Sequence, residues 1–335
     1  MRNAMKLSAV FIGVIIGAGF ASGQEIMSFF LRYGAVSIHG IFLASLLFGI
    51  IATIVLSKIY ISGVQNVNEY FGNGRLAVFV DVISTLFMLA SYIVMTAGSG
   101  AIFEEYLGMS RFTGILAMTI ICAFVFWHGA QGVVRLSSVL TPIMILGTIF
   151  VGIHILNHNV AVMACLDTAQ HNWASSALIY VSYNVLTTTA VLTALRELVT
   201  SKRVAIWTGI ISCAGLGTAA VILWLSLYAN YDAVSNSSMP MLLASGPYMI
   251  FYLPILYFAI VTTAISSGFG VVSRLPKKAG ILSVLTCGIL FGSLGFVALV
   301  EKLYGFFGII GIIIMFYIIF DGLKILTSKK NRDTI

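Results

Sequence analysis

Long apolar segments, separated by short polar connections, repeat along the whole chain. A helix needs about 20 mostly apolar residues to cross the hydrocarbon core of a bilayer. Ten segments come close to this length or exceed it, and we number them as spans 1 to 10. They lie at roughly 7–31, 36–60, 76–106, 112–128, 133–156, 173–199, 204–229, 240–270, 279–299 and 303–325. The pattern predicts an all-α integral membrane protein of about ten transmembrane helices, forming one transmembrane domain over 1–335.

Span 1 contains an interruption that a lipid-facing helix would not carry. Three glycines lie within Gly17–Gly23, and Ser22, Gln24 and Glu25 add polar groups. Each glycine weakens a helix by about 1 kcal/mol relative to alanine, and a charge at mid-membrane costs several kcal/mol. The segment therefore predicts an unwound stretch whose N–H groups face a substrate anion and whose carbonyls coordinate a cation. Two alternatives are close helix packing through small residues and a capping box formed by Ser22 and Glu25.

Span 6 carries a second polar stretch, in which Ser182, Tyr183 and Asn184 can offer hydroxyl and amide groups to a solute. We predict a second helix break there. The alternative is that these side chains pack in a continuous helix and make intrahelical hydrogen bonds.

Composition and charge agree with a membrane protein. Hydrophobic residues make up 60% of the chain and charged residues 9%, which leaves no room for a soluble catalytic domain. The four cysteines and five histidines lack metal-ligand spacing, and no glycine-rich loop carries the Lys-Ser/Thr of an ATPase. We therefore predict that the protein is not an enzyme, has no organic cofactor and binds no nucleic acid.

The basic residues predict the orientation. If the N-terminus is cytoplasmic, fifteen of the 18 Lys and Arg residues lie inside and three lie outside. The positive-inside rule then places both termini in the cytoplasm of a multi-pass cell (inner) membrane protein. Ten spans divide into two sets of five with opposite orientation, which predicts an inverted repeat of about 7–157 and 172–325.

The string Gly17-Ala18-Gly19-Phe20-Ala21-Ser22-Gly23-Gln24-Glu25 resembles the YkvI-type family of bacterial membrane proteins. Ten spans with interruptions in spans 1 and 6 also resemble the leucine-transporter fold of the amino acid–polyamine–cation superfamily. The resemblance covers essentially the whole chain. It implies a core of spans 1, 3, 6 and 8, with the substrate bound beside two broken helices.

The resemblance also implies substrate contacts. Gly17, Ala18 and Gly19 match the unwound segment that binds a substrate carboxylate through backbone N–H groups. Tyr92 matches a span 3 tyrosine that covers the substrate from the outside. Ser22, Ser182, Tyr183 and Asn184 complete the predicted substrate site.

A sodium site is implied in the same way. Gly13 and Ile16 match positions whose carbonyls hold the ion, and Thr263, Ser266 and Ser267 in span 8 match one carbonyl and two hydroxyls. Sodium is a hard cation that prefers oxygen ligands, and residues three and four apart share one helix face. The alternative is that the span 8 hydroxyls only bond back to their own helix.

The predicted function is secondary active transport, as sodium-coupled symport of a small solute such as an amino acid by alternating access. Span 5 lacks the lysine that proton-coupled relatives place at the sodium position, which favours a cation site. A proton carried by Glu25 or Asp81, an uncoupled transporter, and a non-transporting nutrient or germinant receptor stay open. The identity of the solute, the direction of transport, the oligomeric state and the choice between cap and proton carrier for Glu25 also stay open.

Overall fold

The computed structural model describes residues 1–64, 66–158 and 172–327, with the side chains of all of these except 130–138, 158 and 325–327. Within these ranges the chain is almost entirely helical and contains no β-strand. The helices, numbered in chain order, are α1 (Arg2–Ile15), α2 (Ala18–Ala21), α3 (Gln24–Phe29), α4 (Ile38–Ser62), α5 (Val67–Tyr70), α6 (Arg75–Tyr106), α7 (Arg111–His128), α8 (Ala130–His158), α9 (Trp173–Ala194), α10 (Lys202–Tyr228), α11 (Tyr231–Val234), α12 (Pro240–Ala244), α13 (Met249–Val272), α14 (Lys277–Phe291), α15 (Phe296–Leu299) and α16 (Gly305–Thr327).

In the described part of the chain, nine helical segments are long and apolar enough to cross a membrane. They correspond to spans 2 to 10, so the prediction of a multi-pass membrane protein is confirmed. Span 1 is not among them because it is divided into α1, α2 and α3, which have 14, 4 and 6 residues. A tenth crossing, made by these three pieces together, stays a prediction.

The break in span 1 is confirmed, and it has two parts. After α1 ends at Ile15, Gly17 adopts an extended conformation with φ −93° and ψ −167°. After the single turn of α2, Gly23 adopts a left-handed conformation with φ +83°, which glycine tolerates far better than other residues. The helix then restarts as α3.

The predicted break in span 6 is wrong, because α9 continues without interruption through Ser182, Tyr183 and Asn184. This segment contains neither glycine nor proline. Its polar side chains bond to their own helix: Asn184 Nδ2 donates to the Tyr180 carbonyl at 2.9 Å, and Thr188 Oγ1 donates to the Asn184 carbonyl at 3.0 Å. The alternative of intrahelical bonding is therefore correct.

Two other boundaries differ from the predicted ones. The long helix of span 8 begins at Met249 rather than near residue 240, because α12 and a 3-10 turn at Gly246–Tyr248 precede it. Span 10 begins earlier than predicted, at Phe296, and contains a π-helical turn at Val300–Tyr304 between α15 and α16. Such π turns occur frequently at functional sites.

Helix packing determines which elements surround the broken span. The helix α4 packs along α10, α9 along α16, and α6 along α13, while α1 lies against α10. The short α2 contacts α13 and α8. The short α3 contacts α9, α10, α12 and the π-helical turn, so its side chains are enclosed on several sides.

Candidate functional site

Neighbouring helices hold the broken span in place. The N–H of Ala18 donates to Thr263 Oγ1 on α13 at 3.3 Å. The hydroxyl of Tyr252 donates to the Ala21 carbonyl at 2.6 Å, and the N–H of Met241 donates to the Ser22 carbonyl at 2.9 Å. Backbone groups that the helix break leaves unbonded thus find partners on α12 and α13, which makes the break a defined structure.

Two of the predicted sodium ligands are backbone carbonyls at the end of α1, those of Gly13 and Ile16. The N–H of Ile16 donates to the Ile12 carbonyl, and the N–H of Gly17 donates to the Ile15 carbonyl, both at 2.8 Å. Neither of these bonds uses the carbonyl of Gly13 or Ile16. Within the described residues, the two bonds that close the end of α1 thus do not use either predicted carbonyl.

The three predicted residues of α13 differ in their surroundings. Thr263 reaches the break, because a Cβ placed on Gly17 would lie 3.5 Å from its hydroxyl. Ser266 is exposed, and Ser267 Oγ donates to Ser91 Oγ on α6 at 3.1 Å. The structure thus brings Thr263 alone of this group to the break, and the five-residue sodium set stays a prediction.

Glu25 lies in the interior of the protein. It is 6% exposed, and its Oε2 has no hydrogen-bond partner among the described residues. A Cβ on Gly19 would lie 2.8 Å from the Glu25 carboxyl carbon, so the carboxyl packs directly over the backbone of the break. Glu25 therefore belongs to the same site as the unwound segment.

The predicted capping box is wrong in the part that involves Glu25. The N-cap of α3 is Gly23, and the N–H of Ser22 donates to the Ala18 carbonyl at 2.8 Å instead of to Glu25. Ser22 itself acts locally: its Oγ accepts from the N–H of Gln24 at 3.3 Å and donates to the Gly19 carbonyl at 3.0 Å. The carboxyl of Glu25 packs over Gly19 instead of bonding to the N–H of Ser22.

Aromatic rings pack around Tyr183, whose hydroxyl lies at this carboxyl. The ring of Tyr183 lies 5.6 Å from that of Phe29, 5.7 Å from Phe87, 5.5 Å from Tyr180 and 5.0 Å from Tyr304, measured between centroids. The Glu25 carboxyl interacts electrostatically with the tyrosine hydroxyls of this group. We call the following residues the Glu25 cluster: Glu25, Phe29, Phe87, Tyr180, Tyr183 and Tyr304.

The hydroxyls of the cluster are bonded unequally. Tyr304 shares a hydrogen bond of 3.4 Å with Ser91. The hydroxyls of Tyr180 and Tyr183 lie at the Glu25 carboxyl, where each can donate a hydrogen bond to it.

Several predicted substrate contacts lie elsewhere. The ring of Tyr92 packs against Phe126 at 6.3 Å and sits over Gly268 and Gly288, on the side of α6 that faces α7, α13 and α14. Ser182 Oγ donates to the Gly308 carbonyl at 2.5 Å and so joins α9 to α16. Among the described residues, the contacts of Tyr92, Ser182 and Asn184 thus join them to elements other than the break, whereas Tyr183 belongs to the Glu25 cluster.

Sequence reasoning missed Phe87, Tyr180 and Tyr304. The spacing of Tyr180 and Tyr183 does offer a signal, because residues three apart share one helix face. Tyr304 offers none, since it comes to Glu25 from the other end of the chain.

We expect Gly19→Ala to destabilise the protein by about 1–3 kcal/mol, because the new methyl group requires the buried Glu25 carboxyl to move. The measurement is the thermal unfolding midpoint in detergent. Gly305→Ala is the matched control, since no described atom lies within 4 Å of a Cβ there and φ is −59°. The double variant Gly19→Ala/Glu25→Ala should regain most of the loss, and a double variant no better than Gly19→Ala would contradict this explanation.

Two bacterial proteins are similar to this chain over nearly its whole length. The membrane protein YkvI of Bacillus subtilis (strain 168) is 26% identical over 325 residues, which cover 92% of this chain and 93% of YkvI. The protein YyaD of the same strain is 27% identical over 331 residues, which cover 94% of this chain and 95% of YyaD. No protein-family model matches the chain. The resemblance to YkvI-type proteins that the glycine-rich string indicates is confirmed.

Solved structures decide the fold. A manganese transporter from Eremococcus coleocola superimposes with a TM-score of 0.60 at 15% identity, covering 96% of this chain and 78% of that chain. The inward-facing conformation of Mhp1 superimposes with a TM-score of 0.54 at 11% identity, covering 92% of this chain and 73% of that chain. The chain has the leucine-transporter fold. The sequence resemblance implies that, in this fold, the substrate binds beside the broken first span. Span 1 is broken in this structure as well.

Proposed function

We propose that this protein is a secondary active transporter that carries a small solute together with sodium by alternating access. The observation that carries the proposal is the two-part break in span 1, which lies between helices of the leucine-transporter fold and is bonded to α13 through Thr263. Broken helices at the midplane are where transporters of this kind bind solute and ion.

The solute would bind beside Gly17, Ala18 and Gly19. In the structure the N–H of Ala18 donates to Thr263 Oγ1, so a bound carboxylate has to replace this bond or use the neighbouring N–H groups. The helix restart encloses the site on one side, because Ala21 and Ser22 are fully buried. This closeness favours a small solute such as an amino acid.

Sodium would bind between α1 and α13. Support comes from the carbonyls of Gly13 and Ile16, which the two closing bonds of α1 do not use, and from Thr263 at the break. Ser266 and Ser267 follow Thr263 by three and four residues, so they can share its helix face. In this proposal Ser267 exchanges its bond with Ser91 for the ion. An oxygen-only ligand set suits a hard monovalent cation.

A proton carried by Glu25 is the second candidate for the coupling ion. The favouring observation is that the buried Glu25 carboxyl has an oxygen without a partner in the described structure. Asp81 is a weaker candidate, because it forms an ion pair of 3.2 Å with Arg274 at a half-exposed position.

The proposal predicts sodium-dependent solute binding. In thermal-shift screening of amino acids and related solutes, a hit should raise the unfolding midpoint of the purified protein in sodium chloride but not in potassium chloride. Thr263→Ala should weaken the sodium dependence by about tenfold or more, which corresponds to about 1.4 kcal/mol. Ser266→Ala/Ser267→Ala should do the same. Thr262→Ala is the matched control, because its hydroxyl bonds to the Ala259 carbonyl of its own helix at 3.0 Å.

Proteoliposome uptake completes the test. A sodium gradient should drive accumulation of the hit solute, and dissipating the gradient should stop it. A solute shift that is independent of sodium but lost in Glu25→Gln would replace sodium by a proton as the coupling ion. Tight solute binding without flux under any gradient would indicate a receptor and overturn the transporter proposal.

A further inference from the structure

Hydroxyl groups from three different spans meet at Ser91, on α6. Ser267 Oγ, on α13, donates to Ser91 Oγ at 3.1 Å. The hydroxyl of Tyr304, in the π-helical turn of span 10, shares a hydrogen bond of 3.4 Å with the same oxygen. Ser91 is 6% exposed and Tyr304 is 3% exposed. Ser91 therefore connects span 8 with span 10 inside the protein.

The two ends of this chain of hydroxyls belong to different parts of the candidate site. Ser267 is a predicted sodium ligand, and it follows Thr263, which bonds to the break, by about one helical turn. Tyr304 belongs to the Glu25 cluster, and its hydroxyl interacts electrostatically with the Glu25 carboxyl. The π-helical turn that carries Tyr304 contacts both α6 and α3. The chain of hydroxyls thus runs from the predicted ion site to Glu25.

The two hydrogen bonds of Ser91 differ in length. O–H···O bonds in proteins are usually about 2.5–3.0 Å long, so the contact with Ser267 is close to this range. The contact with Tyr304 is longer and can still shorten. A serine hydroxyl has one proton and two acceptor lone pairs, so Ser91 can accept from Ser267 and bond to Tyr304 at the same time.

Binding of an ion by Ser267 would change this arrangement. In the structure its hydroxyl bonds to α6 and not to the break, so it reaches an ion beside Thr263 only after leaving Ser91. Ser91 would then lose its donor, and a buried hydroxyl that lacks a partner is strongly unfavourable. The hydroxyl of Tyr304 is already in contact with Ser91 and can take the place of Ser267.

We propose that Ser91 is a positioning residue that couples the ion site on α13 to the Glu25 cluster. Without the ion, Ser91 holds the Ser267 hydroxyl on α6. When Ser267 turns to the ion, Ser91 bonds more closely to Tyr304 and so moves a hydroxyl that interacts with Glu25. This inference rests on the proposed sodium-coupled transport and describes how its ion site communicates with the solute site.

The test is the apparent sodium affinity of the purified full-length protein in detergent. It is obtained from the thermal unfolding midpoint as sodium chloride replaces potassium chloride at constant ionic strength. Tyr304→Phe keeps the ring and removes the hydroxyl. It should lower the sodium affinity about threefold, because Ser91 then finds no new partner when Ser267 leaves. In a Ser91→Ala background, Tyr304→Phe should have no effect on the sodium affinity.

The reverse comparison isolates the bond between Ser91 and Ser267. When Ser91→Ala is added to Tyr304→Phe, the sodium affinity should rise about threefold or more, because Ser267 no longer has to leave a bond. Ser91→Cys, which offers only a weak acceptor, should act in the same direction. Ser84→Ala is the matched control and should leave the sodium affinity unchanged. It removes another buried hydroxyl of α6, which donates to the Leu186 carbonyl at 3.1 Å.

Three results would overturn the inference. If the effects of Ser91→Ala and Tyr304→Phe on the sodium affinity multiply, the two residues do not act through each other. If Ser91→Ala lowers the sodium affinity in the Tyr304→Phe background, Ser91 supports the ion site directly. Either result, in a wild type that responds to sodium, leaves sodium coupling standing. A wild type whose midpoint does not respond to sodium removes the sodium site and this inference together.

Discussion

Lys58→Met is expected to destabilise the protein by about 3 kcal/mol. Lys58 is buried on α4, where its Nζ donates to the Tyr70 carbonyl at 2.7 Å and to Asp321 Oδ2 on α16 at 2.5 Å. The same Nζ lies 4.2 Å from the centre of the Tyr70 ring. Methionine keeps the apolar part of the side chain but leaves the Asp321 carboxylate and the Tyr70 carbonyl without their donor.

Two further variants separate the cost of an uncompensated buried charge from the cost of losing an ion pair. The double variant Lys58→Met/Asp321→Leu should recover most of the stability, because no uncompensated charge is left. Arg274→Met breaks the pair with Asp81, which is about half exposed, and should cost at most about 1 kcal/mol. The measurement is the thermal unfolding midpoint of each variant in the same detergent. Equal losses in Lys58→Met and Arg274→Met would show that the buried pair contributes no more than an exposed one.

Gly23→Ala is expected to cost about 3 kcal/mol, from two causes that can be separated. The left-handed conformation, with φ +83°, costs a residue with a Cβ about 1–2 kcal/mol. The methyl group would also lie 2.8 Å from Met241 Cγ and 2.9 Å from Leu227 Cδ1, and overpacking costs about 1–3 kcal/mol more. The restart of the helix at α3 should be weakened as a result.

Gly63→Ala isolates the conformational part. Gly63 is also left-handed, with φ +64°, but no described atom lies within 4 Å of a Cβ there. We expect its unfolding midpoint to fall by about a third to a half as much as that of Gly23→Ala. Solute binding should be lost in Gly23→Ala and retained in Gly63→Ala. Equal losses of stability in the two variants would mean that steric contact of the new methyl group with Met241 and Leu227 contributes nothing to the loss.

Part of the site could be predicted from local sequence. The glycines at positions 17, 19 and 23 predict the break because a glycine-rich stretch weakens a helix wherever it lies. Gly17 and Gly23 indeed adopt the non-helical conformations. Span 6 shows the limit of this reasoning, because Asn184 and Thr188 can bond either outward or to their own helix. The segment of α9 contains neither glycine nor proline, and this feature of the sequence favours a continuous helix over a break.

The position of Glu25 shows what local sequence could not provide. Its spacing from Ser22 fits a capping box equally well, and the turn at Gly23 decides against it. Tyr183 and Tyr304 then meet Glu25 through the packing of α3 on α9 and on the π-helical turn. In the same way, Ser267 pairs with Ser91 because α13 packs along α6.

The amino-acid sequence by itself determined the approximate positions of the nine long apolar helices in the described part of the chain, the interruption of span 1 and the membrane environment. These properties depend on residues that are neighbours in the chain, through bilayer thickness and backbone propensity. The tertiary structure alone decided that Tyr180 and Tyr183 lie at Glu25, that Tyr92 packs against Phe126 and that Thr263 reaches the break. Such contacts join helices that are not neighbours in the local sequence, and close packing of side chains, rather than any local periodicity, selects them.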